Sequence, residues 1–216
     1  MGASRETLDG NDRRKGAAIR RIPKFWGIRC LPRIAVVAAY LAGSAAAYAA
    51  TIEDKAQICG ACHGLKGLPQ DPLIPIIWGQ NAGYLYLQFR DFQKGARKDD
   101  RMTAAAQNVA KEDALALAEY FSSKPWPNTG AHSALKADAG LAIATNKSVV
   151  CTSCHLEQYQ GASSIPRLAG QEHDYLVKTM MDFRNRTRGN NPGMSDLMNS
   201  VAPEQLAAMA AYLAGL

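Results

Sequence analysis

Between residues 51 and 216 the apolar positions return at helical spacing. Leu85, Phe89 and Phe92 stand at i, i+4 and i+7, and Leu176, Met180 and Phe183 repeat that stripe. Leu117, Tyr120 and Phe121 form a later stripe, matched by Met209, Tyr212 and Leu213. A period near 3.6 predicts amphipathic helices, and no strand-like alternation interrupts them. A first helix is predicted over Thr51–Cys59, with Thr51 and Asp54 as a capping pair, and its counterpart over about 138–145. Pro203 suits the first turn of the last helix. The pattern predicts an all-α protein with three helices in each half.

The two halves are copies. Cys59 and Cys151 are 92 positions apart, and the same offset relates Val109 to Val201 and Tyr120 to Tyr212. Between those anchors the offset is 91, as in Pro75/Pro166, Gly79/Gly170, Gln80/Gln171, Tyr84/Tyr175, Phe92/Phe183 and Arg97/Arg188. One deletion before Pro166 and one insertion after Arg188 reconcile the two values. The predicted organisation is an N-terminal segment 1–50, a first domain 51–123, a Pro/Gly-rich linker 124–136 and a second domain 137–216.

Charge separates the N-terminal segment from the rest. The chain of 216 residues has 25 Lys+Arg and 19 Asp+Glu, a net charge of +6. Residues 1–50 hold nine basic and three acidic side chains, which leaves 16 of each sign for residues 51–216. The repeated body is therefore neutral, and a nucleic-acid-binding reading loses its main support. Within the basic segment, Ile34–Ala50 (IAVVAAYLAGSAAAYAA) is an uncharged run ending in small residues. That is the pattern of an export signal cut near Ala49 or Ala50, with an uncleaved anchor as the alternative. The expected location is the bacterial periplasm. Cys30 falls within this segment, leaving four cysteines in the exported part.

Those four cysteines read Cys59-Gly60-Ala61-Cys62-His63 and Cys151-Thr152-Ser153-Cys154-His155. C-x-x-C-H is the attachment signal for c-type haem. On a helical turn, i, i+3 and i+4 share one face, so two thiols reach one porphyrin edge while the imidazole comes under the iron. Two disulfides would not require a His after each pair. A zinc site would not require pairs 92 residues apart. A thioredoxin-like motif would need a βαβ setting. The reading is two covalent haem c groups, held by Cys59 and Cys62 and by Cys151 and Cys154, with His63 and His155 as axial ligands.

The repeat also selects the sixth ligands. Met102 and Met194 each lie 39 positions after their histidine, and both are expected in a loop that precedes a helix. Met198 aligns with Ala106 and is assigned to packing, as are Met180, Met181 and Met209. His132 and His173 default to solvent-exposed imidazoles, with a bis-His second centre as the alternative. His/Met ligation fills both axial positions. Lobes of about 80 residues are marginal without added interior, which a covalent porphyrin supplies.

CxxCHG at Cys59–Gly64, then P-x-x-x-G-Q, a Tyr-Leu helix and a Phe-x-x-Gly-x-Arg turn over Pro75–Arg97, then a ligand Met and a terminal helix, resemble class I cytochromes c. Two lobes in tandem resemble the dihaem cytochrome c4 family over about residues 52–216. That resemblance implies two class I domains, each wrapped around one covalent haem. It implies lobes facing each other about a pseudo-twofold axis with haem propionates near the interface. It also implies carbonyls of Pro75 and Pro166 that orient the axial imidazoles. Two departures stand out: Leu156 replaces the Gly that follows His63, and Ile76-Ile77-Trp78 replaces a shorter Leu-Ala.

The expected activity is outer-sphere electron transfer rather than catalysis, between a membrane or periplasmic donor and an acceptor such as a terminal oxidase. Alternatives are an electron-accepting subunit of a periplasmic dehydrogenase, or a dihaem enzyme such as a peroxidase. Partners are redox proteins, with no nucleic acid and with peripheral membrane association as an option. The candidate docking clusters are Arg90, Lys94, Arg97, Lys98 and Arg101, with Arg184, Arg186 and Arg188 as counterparts; a solvated helix face is the alternative.

Overall fold

The computed structural model describes residues 50–127 and 150–216, which belong to one compact unit from Tyr48 to Leu216. The predicted signal segment, His132, most of the linker and the helix expected over 138–145 lie outside the described residues. Eight helices occur among the described residues. Lobe one holds α1 (Ile52–His63), α2 (Ala82–Gln93), α3 (Asp100–Gln107) and α4 (Lys111–Ser122). Lobe two holds α5 (Thr152–His155), α6 (His173–Arg184), α7 (Pro192–Asn199) and α8 (Pro203–Ala214). None of them is long and apolar enough to cross a membrane.

Helix α1 starts where the capping pair predicts. Thr51 Oγ1 accepts from Asp54 N (3.2 Å) and the Asp54 carboxylate accepts from Thr51 N (3.0 Å). The helix runs further than expected, through both cysteines to His63, so the C-x-x-C-H residues lie on one continuous helical turn. Gly64, at φ +84°, ends it.

The predicted stripes are the core. Leu85, Phe89 and Phe92 of α2 pack with Leu117 and Phe121 of α4 in lobe one. Leu176, Met180 and Phe183 of α6 pack with Met209 and Leu213 of α8 in lobe two. Each fully buried side chain of this size contributes about 1.5–3 kcal/mol. Met198 is buried in the second core. Trp78 fills space beside Gly67 and packs against the lobe-one core.

Two expectations need correction. Among the described residues each lobe carries a short helix that the pattern did not predict, α3 and α7, and Met102 and Met194 lie inside their first turns rather than in preceding loops. The physical cause is an Asx cap: Asp99 Oδ1 accepts from Met102 N and Asn191 Oδ1 from Met194 N, both at 3.1 Å. The basic clusters are also not uniformly solvent-facing. Arg97 and Arg188 turn inward to the other lobe, while Arg101 pairs with Asp71 (2.9 Å) and Arg186 with Asp196 (2.7 Å).

The lobes meet through contacts that obey the repeat. Gln171 accepts from Ile76 N (2.8 Å) and donates to Ile76 O (3.0 Å); Gln80 accepts from Arg167 N (2.7 Å) and donates to Arg167 O (3.0 Å). Tyr84 N donates to Ser163 O and Tyr175 N to Pro72 O. Arg97 Nη2 donates to the Tyr175 hydroxyl (3.1 Å) and Arg188 Nη2 to the Tyr84 hydroxyl (3.3 Å). Each contact maps onto its partner when the two copies are exchanged, as a pseudo-twofold axis requires.

Candidate haem-binding site

Each C-x-x-C-H motif ends a helix with its imidazole turned inward. His63 and His155 are 7% and 6% exposed. His63 Nδ1–H donates to the Pro75 carbonyl (2.8 Å) and His155 Nδ1–H to the Pro166 carbonyl (3.0 Å). A carbonyl only accepts, so the proton sits on Nδ1 and Nε2 is left as the ligating lone pair. No described residue bonds to either Nε2. Burial lowers the pKa of both rings, against the smaller raising effect of the proline carbonyls, and keeps them neutral. The Pro166 carbonyl reaches its position because residue 161 is glycine: at φ +60° an added Cβ would meet Ile165 O at 2.4 Å and Pro166 O at 2.5 Å.

Cys59 and Cys151 are half-buried, and Cys62 and Cys154 exposed. Burial pushes the Cys59 and Cys151 thiols up. Reactive redox thiols show the opposite shift, which argues against the thioredoxin-like reading. Among the described residues no group of three or more His, Cys, Asp or Glu converges as a metal cage, so a shared zinc site lacks its donors.

One cavity of about 1260 Å³ receives all eight predicted site residues: Cys59, Cys62, His63, Met102, Cys151, Cys154, His155 and Met194. A single small-molecule site is typically ~300–1,000 Å³, so this space suits two groups. Its walls are the apolar stripes, including Leu85, Phe89 and Leu117 from lobe one and Leu176, Met180 and Met209 from lobe two. Arg97 and Arg188 line it as well, and neither forms an ion pair among the described residues. Two guanidinium groups in such a place suit a ligand that brings its own carboxylates. Their charge acts on Tyr175: burial pushes its phenol up, but Arg97 and Arg188 outweigh that and draw it down. The residues therefore fit haem c: apolar walls, paired thiols, a neutral imidazole with its free nitrogen, a thioether and unpaired cations.

His173, by contrast, sits half-buried at the start of α6 against Asp174. The residues that sequence reasoning missed are Asp99 and Asn191, which aim the methionines, and Gln80 and Gln171, whose place in the repeat was visible but whose reach across the lobes was not.

Comparison with known proteins agrees with this geometry. The family described as Cytochrome c matches residues 137–216. Cytochrome c4 from Azotobacter vinelandii is 33% identical over 198 residues, covering 82% of this chain and 91% of that protein. The chain belongs to the cytochrome c4 family. A solved cytochrome c4 from Acidithiobacillus ferrooxidans superposes with a TM-score of 0.66 at 30% identity, covering 74% of this chain and 99% of that one. The thiosulfate dehydrogenase electron acceptor of Stutzerimonas stutzeri is 28% identical over 172 residues, covering 74% of this chain and 80% of that protein. This chain is thus a dihaem c-type cytochrome, all-α and built from tandem class I lobes, and it works in electron transfer.

Proposed function

We propose that this cytochrome c4 family member is a periplasmic electron shuttle. In this reading Cys59 and Cys62 hold one haem and Cys151 and Cys154 the other, with His63/Met102 and His155/Met194 as the axial pairs. The domains are 51–123 and 137–216, joined by residues 124–136, and residues 1–50 direct export. The observation that carries the reading is the matched pair of His–Pro carbonyl bonds inside one cavity that also receives both methionines.

When bound, each haem c supplies a one-electron Fe(II)/Fe(III) couple. The chain's own groups do the rest. The carbonyls of Pro75 and Pro166 fix the ring tautomer and raise the basicity of Nε2. The capped turns of α3 and α7 hold each thioether on a rigid element. The apolar walls exclude water and raise the weight of every nearby charge. With both axial positions filled, no substrate site remains, so the protein carries electrons and does not catalyse a bond change. The Gln80 and Gln171 clamps keep the two lobes in a fixed relation, which keeps the reorganisation on transfer small.

Partners are redox proteins: a membrane or periplasmic donor and an acceptor such as a terminal oxidase, with peripheral membrane association at most. Docking uses a small transient surface, for which the outward-facing Arg90, Lys94 and Lys98 are available on lobe one. The resemblance to a thiosulfate dehydrogenase electron acceptor favours one second reading, an electron-accepting subunit of a periplasmic dehydrogenase.

Substituting Met194 by Ala in the holo-protein is expected to open the second iron to carbon monoxide and weaken the near-red absorption of Met-ligated ferric haem. If Met198→Ala does this instead, the ligand assignment fails. A stoichiometric complex that survives purification at moderate salt would select the subunit reading over the free shuttle.

A further inference from the structure

The two methionine-bearing helices open in the same way but carry different charge. In α3 the Asp99 carboxylate accepts from Met102 N (3.1 Å), and Asp99 N donates to Thr103 Oγ1 (3.2 Å). In α7 the Asn191 amide oxygen accepts from Met194 N at the same 3.1 Å. Both cap residues line the haem cavity. The sequence around them also differs: Asp100 and Arg101 of lobe one align with Pro192 and Gly193 of lobe two. Arg101 is committed to Asp71 at 2.9 Å, with side chains 56% and 40% exposed, so that pair is largely screened. Asp99 is half-buried and has no ion-pair partner among the described residues.

Asp99 lines the same cavity as His63 and Met102 and brings a carboxylate to it, whereas the matching place beside His155 and Met194 is taken by the neutral amide of Asn191.

We propose that Asp99 is a potential-setting residue: its carboxylate, fixed against the backbone of Met102, holds the first centre's reduction potential below the value that lobe two's neutral cap allows. The proposal rests on Met102 and Met194 as axial ligands. A negative charge favours Fe(III), so it opposes reduction, and Arg101 acts in the opposite sense. One unit charge acting across on the order of 10 Å at an effective dielectric between about 25 and 80 changes a reduction equilibrium constant about two- to tenfold. Tenfold corresponds to ~59 mV for one electron.

The test is spectroelectrochemical titration of the full-length holo-protein. Asn caps a helix as well as Asp, so Asp99→Asn exchanges one cap for the other without losing the hydrogen bond. Asp99→Asn is expected to favour reduction of one centre about two- to tenfold and leave the other nearly unmoved. Asn191→Asp is expected to disfavour reduction of the other centre by a similar factor, and Arg101→Gln to disfavour reduction of the first. Potentials unmoved in both cap variants, or moved in the same sense by both, overturn the proposal. The ligand reading fails separately: Met102→Ala with an undiminished near-red band refutes that reading, whereas an intact band with an unmoved potential in Asp99→Asn refutes the charge assignment alone.

Discussion

Replacing Gln171 by Ala tests whether the reciprocal clamps hold the lobes together. Gln171 is 3% exposed and Ile76, its partner across the interface, 1%. The amide accepts from Ile76 N (2.8 Å) and donates to Ile76 O (3.0 Å), and its oxygen also accepts from Glu172 N (2.9 Å). Truncation leaves the Ile76 N–H and C=O buried with no partner. Each such group costs about 1–3 kcal/mol, so the variant should lose about 2–6 kcal/mol. At ~3 kcal/mol that is on the order of 10 °C in Tm for a chain of this size. The assay is thermal and denaturant unfolding of the holo-protein, with Gln107→Ala as control. That control removes one exposed hydrogen bond, to Gln93 O, and should stay within about 0.5 kcal/mol. Gln80→Ala should behave like Gln171→Ala, and the double variant should cost less than the two combined because both act on one interface. A Gln171→Ala loss no larger than that of Gln107→Ala would refute the clamp.

Two further outcomes follow from strained or buried groups in lobe two. Leu156 occupies φ +64°, ψ 167°, where lobe one has Gly64. That region is essentially reserved for glycine and costs about 1–3 kcal/mol. Leu156 is 38% exposed, so Leu156→Gly gives up little packing and should stabilise the protein by ~1 kcal/mol in denaturant unfolding; a loss instead would mean that the Leu side chain compensates the strain. Tyr159 packs edge-on against Tyr212, and burial pushes its phenol up to about 12 from 10.0. A raised acid pKa means that the folded state resists ionisation, so the linked stability is complete below pH ~10 and is lost between ~10 and ~12. Two pKa units correspond to on the order of 3 kcal/mol. Tyr159→Phe should flatten the alkaline slope of stability, measured as Tm against pH; an unchanged slope would assign it elsewhere.

Much of this molecule was legible because its signals are local. Three residues spaced for one face, a Thr and an Asp three apart, and two thiols with a His are complete statements within a few positions. The offset carried the reading further, since it chose Met194 over Met198 as the expected ligand; both side chains line the cavity, and the carbon monoxide test on the two variants decides between them. The helices α3 and α7 were missed for a physical reason. Their sequences, DRMTAAAQ and PGMSDLMN, span only eight residues each, about two turns, which is too short for a period to declare itself. The signal present was an Asx cap, reinforced in lobe two by Pro at the first helical position. The role of Gln80 and Gln171 had no local signature, because each satisfies a backbone that lies 87 and 95 residues away.

Arg97 and Arg188 show why the repeat is worth reading as geometry. Taken singly, each is one charge in a basic cluster, and exposure is the default for such a residue. Taken as a pair at offset 91, they match a second pair at the same offset, Tyr84 and Tyr175. Two copies about a twofold axis place a residue of one copy against a different residue of the other, and then repeat the contact in reverse. Arg97 with Tyr175 and Arg188 with Tyr84 are such a reversed pair. These two cations are withdrawn from the surface into the contact between the lobes, beside the haem cavity, so a partner meets less positive charge than the sequence displays. With 16 charges of each sign in residues 51–216, recognition then depends on the few side chains that stay outward, Arg90, Lys94 and Lys98 among them. Neutralising those three should slow association with an acidic redox partner and reduce its salt dependence, while substituting Arg97 should perturb the haem environment. If Arg97 instead behaved like the outward three in a salt-dependent association assay, its inward placement would be wrong.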